Sequence, residues 1–89
     1  MTSYKVTYQK RAEKWLKENK AYGIRFFKAF TDISQDIKSN FVKYDIKRLK
    51  DNTDFFRLRI GKYRAVFTII NDEFVIMVVD IDSRGGIYK

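Results

Sequence analysis

The spacing of apolar residues along this chain changes from two to three-or-four and back to two, and each change marks an element. YKVTY at 4–8 alternates and predicts a first strand. From about Gln9 to Lys20, Ala12, Trp15 and Leu16 recur at helical spacing among Lys and Glu, which predicts a short amphipathic helix. The tract ENKAYG interrupts that pattern. A second helix is expected from about Ile24 to Ser39, with an apolar stripe of Phe26, Phe30, Ile33 and Ile37 and with Ile24 and Phe27 adjoining. Residues 40–54 are polar and mixed and read as loop. Three strands follow, at about 55–60, 63–70 and 73–81, the first two joined through Gly61-Lys62 and the last two through Asn71-Asp72. The expected order is βααβββ: an α+β domain with two N-terminal helices packed on one face of a small twisted antiparallel sheet. With no Pro, four Gly and no repeat, residues 1–89 read as one unit. The helical stripe is assigned to the core, because the sheet needs one face covered.

Within the hairpin FRLRIGKYRAVF, a two-residue loop sets Ile60 opposite Tyr63, Arg59 opposite Arg64 and Arg57 opposite Val66. Phe56, Leu58, Ile60, Tyr63, Ala65, Phe67 and Ile69 then share the side that meets the helices. Arg57, Arg59 and Arg64 crowd the other side. Like charges directly opposite each other destabilise a sheet by up to about 1 kcal/mol. Such a cost suggests an anion that normally rests there, although a solvated face that deters edge pairing is the bland reading for any one arginine.

Charge strengthens that expectation. The formal net charge is +8, and residues 43–64 hold eight basic and three acidic side chains. Lys43, Lys47, Arg48 and Lys50 lie just upstream of the arginine strand, and Lys62 sits at the hairpin tip. A phosphate backbone fits, since arginine offers a bidentate fork to phosphate oxygens. Cys and His are both absent, so disulfides, thiolate nucleophiles, the commonest metal ligand and the usual neutral-pH acid/base are excluded. No metal and no cofactor are expected. The N-terminus lacks an apolar signal-like stretch and the longest apolar run, FVIMVV, is too short to span a bilayer, which predicts a cytoplasmic protein without a membrane partner. In the tail, DIDSRGGIYK, Arg84 offers another cation and Tyr88 a stacking platform with a phenolic OH.

This plan resembles the RelE/ParE superfamily of toxins from type II toxin–antitoxin pairs. The features that carry the resemblance are Leu49 followed after seven residues by Arg57-x-Arg59, the hairpin GKYRAVF, the strand EFVIMVV and the closing Arg84-x-x-x-Tyr88. The chain departs from the usual pattern at Asp51, where glycine is common, and at Ser83, where His or Lys is common. The resemblance implies a RelE-like fold and a ribosome-dependent mRNA endoribonuclease that cuts in the ribosomal A site. It implies catalytic roles for Arg57, Arg59, Arg64, Arg84 and Tyr88, and RNA contacts for Lys43, Lys47, Arg48, Lys50 and Lys62. The implied partners are a small acidic cognate antitoxin, the ribosome and mRNA. The same fold serves ParE-like members, which inhibit DNA gyrase without catalysis, and that reading stands as the alternative. A non-catalytic RNA-binding module would explain the charge but not the tail.

Overall fold

The computed structural model describes residues 3–50 and 54–82. The elements are β1 (Lys5–Tyr8), α1 (Lys10–Glu18), α2 (Lys20–Gln35), α3 (Ile37–Lys43), β2 (Asp45–Arg48), β3 (Phe55–Ile60), β4 (Tyr63–Ile70) and β5 (Val75–Asp82), with a 3-10 turn over Asn71–Glu73. One five-stranded sheet runs β1-β5-β4-β3-β2. β2, β3, β4 and β5 pair antiparallel, whereas β1 lies parallel to β5 at one edge. The α+β fold, with helices packed against a twisted sheet, matches the sequence-based expectation.

Two segments before β3 differ from it, as do the β4–β5 connection and the parallel edge strand β1. Residues 40–54 are not a loop throughout, because they hold the end of α3 and all of β2. Asp36 is the reason α2 and α3 are separate. Its backbone is extended, and its carboxylate caps the next helix by accepting from the Ser39 N–H at 3.2 Å. The other difference lies between α1 and α2, where one residue, Asn19, makes the break and Gly23 falls inside α2. A Cβ on Gly23 would stand 2.9 Å from the Leu16 carbonyl oxygen, so the missing side chain lets α1 and α2 approach closely.

The core lies between helices and sheet. Phe26, Phe30 and Ile33 of α2 meet Leu58, Phe67, Ile76 and Val78 of the strands, all without exposed surface. Phe30 sits edge-on to Phe67 at 5.2 Å and Trp15 edge-on to Phe26 at 5.7 Å. The β3–β4 turn has the expected two-residue form, with Gly61 at φ +62 as the first loop residue. The β4–β5 connection is longer than expected. Phe74, rather than Asn71 or Asp72, takes the left-handed conformation at φ 54, and its carbonyl accepts from the Lys5 N–H at 2.8 Å.

A bulge in β5 determines which of its residues face the helices. Val66 pairs with Asp80 but Phe67 pairs with Val78, so Val79 has no partner. Strict alternation from Ile76 would send Asp80 and Asp82 into the core. The extra residue reverses the alternation, so Ile81 is buried with Ile76 and Val78, Asp82 stands opposite Arg64, and Asp80, itself buried, pairs with Arg11 of α1 at 3.1 Å.

Candidate nucleic-acid interface

The strand register assembles the site. β3 and β4 pair as Arg57↔Val66, Arg59↔Arg64 and Ile60↔Tyr63, so the three arginines share the face away from the helices. β2 and β5 extend this face on both sides. Asp45 stands opposite Arg59, and Asp82 stands opposite Arg64. One row across four strands therefore reads Asp45, Arg59, Arg64, Asp82, with neighbouring strands about 4.8 Å apart. The next row begins Lys47, Arg57, Val66.

Two guanidinium groups at the centre of a row repel each other, and the carboxylates at its ends offset part of that cost. The compensation is partial. Arg57 Nη1 lies 3.7 Å from Asp45 Oδ1, which is ion-pair range but beyond a hydrogen bond. Only 20 % of the Arg57 side chain is exposed, and Nη1 is buried without an acceptor. A buried donor left unmatched costs about 1–3 kcal/mol, so an outward shift of the Arg57 side chain to meet a phosphate oxygen would be favoured. Arg59 is held differently, with Nε donating to the Gly61 carbonyl at 3.2 Å. Of the three arginines, Arg57 is the one in ion-pair range of a carboxylate among the described residues. Among those residues, no group of three or more His, Cys, Asp or Glu side chains is placed to hold a metal ion.

The structure distributes the other sequence-predicted contacts unevenly. Lys47 faces Arg57 and joins the patch. Arg48 does not: it pairs with Phe56, and its guanidinium lies 5.5 Å over the Phe56 ring on the helix side. Lys62 is at the hairpin tip with Nζ 5.5 Å over the Tyr63 ring, also toward the helix side. Lys43 rests on the Tyr44 ring at 5.5 Å, beside the end of the row, and Lys50 follows the end of β2. Arg84 and Tyr88 lie outside the described residues.

Asp45 lies in a segment whose sequence reads as loop, so its place beside the arginines comes only from the pairing of β2 with β3. The alternation of Tyr44, Asp45, Ile46 and Lys47 was the available signal, diluted by charge.

Comparison with known proteins places this geometry in a family. The sequence profile of a family described as "ParE toxin of type II toxin-antitoxin system, parDE" matches residues 6–88. A relative from Methanocaldococcus jannaschii, named "Putative toxin RelE1", is 34% identical over 97% of this chain and 96% of its own. The chain belongs to the RelE/ParE superfamily of type II toxins.

Solved RelE structures share its shape. RelE from an archaeal RelE–RelB complex of Pyrococcus horikoshii superposes with a TM-score of 0.77 at 25% identity, over 94% of this chain and 98% of that one. A toxin chain of the RelB–RelE complex from Methanococcus jannaschii gives 0.68 at 25% identity, over 91% and 93%. RelBE2 of Mycobacterium tuberculosis, at 21% identity and 0.69, over 93% and 100%, is alike in fold. The profile carries the ParE name and the relatives carry the RelE name, so superfamily membership alone does not separate nuclease from gyrase inhibitor.

No described helix of this RelE-like chain is long and apolar enough to cross a membrane.

Proposed function

We propose that this toxin is a ribosome-dependent mRNA endoribonuclease that arrests translation and is held in check by a cognate acidic antitoxin. The observation that carries the reading is the guanidinium cluster of Arg57, Arg59 and Arg64 on one sheet face, with a buried Arg57 donor that lacks an acceptor. The solved relatives are RelE chains in complexes with RelB, which supports the antitoxin partner.

The reaction is an in-line displacement at phosphorus. The 2′-oxygen of one nucleotide bonds to its own 3′-phosphate as its proton leaves to a base. The bond from phosphorus to the 5′-oxygen of the next nucleotide then breaks, and that oxygen takes a proton. The products are a 2′,3′-cyclic phosphate and a 5′-OH. Arg57, Arg59 and Arg64 stabilise the charge that gathers on the phosphoryl oxygens, a role suited to a side chain that stays protonated. For the same reason they are poor bases. Proton removal falls to Tyr88, a neighbouring lysine, Asp45 or Asp82 at the ends of the row, or ribosomal RNA. Tyr88 stacks on the base or activates the 2′-OH, and Arg84 supports the leaving oxygen. Lys47 and Lys43 guide the RNA backbone toward the row, with Lys50, Arg48 and Lys62 at its margins.

Purified protein added to a translating message, with primer extension to map ends, tests the proposal. Cuts inside codons, lost in Arg57→Gln and Arg64→Gln and reduced in Arg84→Ala and Tyr88→Phe, are the expected result. Intact message with inhibited gyrase would instead establish the ParE-like reading, which the matched family profile favours.

A further inference from the structure

Beside the arginine face, a groove of about 380 Å³ opens between α2 and the far end of β2 and β3. Its cationic lining is Arg25 and Lys28 from α2, Lys43 from the end of α3, and Arg59 from β3. Arg59 and Asp45 border both the groove and the row of charged residues, so the two are continuous.

We propose that this groove is a second binding track for RNA phosphodiester backbone, separate from the place where the strand is cut. The inference rests on the endoribonuclease reading and adds α2 to the RNA-binding surface. Arg25 and Lys28 are three apart on α2, and both are exposed because Phe26, Phe30 and Ile33 turn the opposite side inward. Arg25 lies 4.9 Å over the Tyr22 ring, a platform that holds its guanidinium out over the groove without neutralising it. Asp32 at the base of the wall is occupied: it accepts from the Tyr44 hydroxyl at 2.7 Å and sits 3.7 Å from Lys28 Nζ. Asp45 is shared with Arg57. Positive charge is therefore in excess along the groove.

The lining also argues against an acidic protein segment. Such a segment would seek apolar anchors, yet the large exposed apolar side chains, Ile24, Phe27, Val42 and Phe74, do not line this groove. A polyanion held chiefly by charge and arginine forks suits what is there.

The test uses the full-length toxin and its Arg25→Gln/Lys28→Gln variant, with a 4-nucleotide RNA, a 16-nucleotide unstructured RNA and purified ribosomes as probes. Two lost phosphate contacts should weaken binding by roughly tenfold and flatten the salt slope by about 1.4. If only the 16-mer is affected, the groove holds message flanking the cut. If ribosome binding alone weakens, it holds ribosomal RNA. Either result supports the proposal. Unchanged binding of all three probes, while Arg57→Gln weakens the 4-mer, overturns the groove and leaves the arginine face standing. If Arg57→Gln is also without effect, the endoribonuclease reading fails with it. Unchanged RNA binding with weakened capture of poly-L-glutamate overturns the groove in favour of an acidic polypeptide. A thermal melt checks folding of the double variant, and Lys43→Gln, at an exposed position, replaces it if the melt is abnormal.

Discussion

The two faces of this sheet are built from the same strands by opposite rules. On the helix side, Phe56 and Phe67 stack at 5.7 Å, Phe41 meets Phe56 edge-on at 5.3 Å, and Leu58 and Ala65 are wholly buried. Each side chain there is fixed by its neighbours. On the other side, cations oppose cations and a guanidinium nitrogen is buried without an acceptor. One face is arranged for the free protein, and the other carries a charge repulsion that a bound anion would relieve. If that face binds RNA as proposed, stability and function reside on alternate residues of a single strand, and substitutions should separate them.

The largest expected effect is on the helix side. Phe30→Ala should cost about 3–5 kcal/mol in a denaturant titration. That is a large part of the roughly 4–13 kcal/mol typical of a domain this long. A loss below 1 kcal/mol would mean that the aromatic face does not carry the fold.

Gly61→Ala comes next. Its φ of +62 disfavours a Cβ, which would also stand 2.9 Å from the Tyr22 hydroxyl oxygen. A loss of about 1–2 kcal/mol is expected, with both faces disturbed because the turn fixes the register of both.

Tyr8 tests whether the packed side tolerates a polar flaw. Its hydroxyl is buried without a partner and burial pushes its pKa up to about 12. Tyr8→Phe should be neutral or stabilising by about 1 kcal/mol at pH 7. Tyr44 is likewise pushed up to about 12 by burial and by its bond to Asp32. A raised folded-state pKa gives stability that is complete below about pH 10 and lost as pH rises toward 12. Thermal melts across that range should show the loss, and Tyr8→Phe should make it shallower. Asp32 moves in the opposite sense. The Tyr44 hydroxyl bond, chiefly, holds its carboxyl below the usual range, so its contribution is present above about pH 4 and fades as acid protonates it.

The smallest stability change should accompany the largest functional one. Arg59→Gln removes the repulsion with Arg64 without setting a second carboxylate opposite Asp45, and should raise stability by a few tenths of a kcal/mol. The same change should abolish RNA binding. A variant that is destabilised, or that still binds, would contradict the division between the faces.

Much of this division was legible in the sequence, because a two-residue turn and a period of two leave no freedom in register. Arg59 opposite Arg64 followed directly from Gly61-Lys62. The stripe of Phe26, Phe30 and Ile33 was equally plain. What was not legible depended on pairing between distant segments. Asp45 and Lys47 gain their place only because β2 joins the edge of β3, and the weak alternation of that tract is masked by charge. Arg48 looked equivalent to Lys47 in a basic run, yet adjacent strand residues point to opposite sides, and only assigning the strand separates them. Gly23 looked like a helix breaker because its use, close contact with Leu16, is a tertiary matter.

Val79 shows how finely the two surfaces are kept in phase. Were Val79 to take its own place in the ladder instead of bulging out, composition and hydropathy would be unchanged, but counting by twos from Ile76 would carry Asp80 and Asp82 beneath the helices and bring Ile81 out beside the arginines. Such a strand would turn Asp82 inward and take from Arg64 the acid that faces it. Deleting Val79 would restore plain alternation with Ile76, Val78 and Ile81 still on the helix side, so a gap there should disturb the two surfaces less than a gap elsewhere in β5.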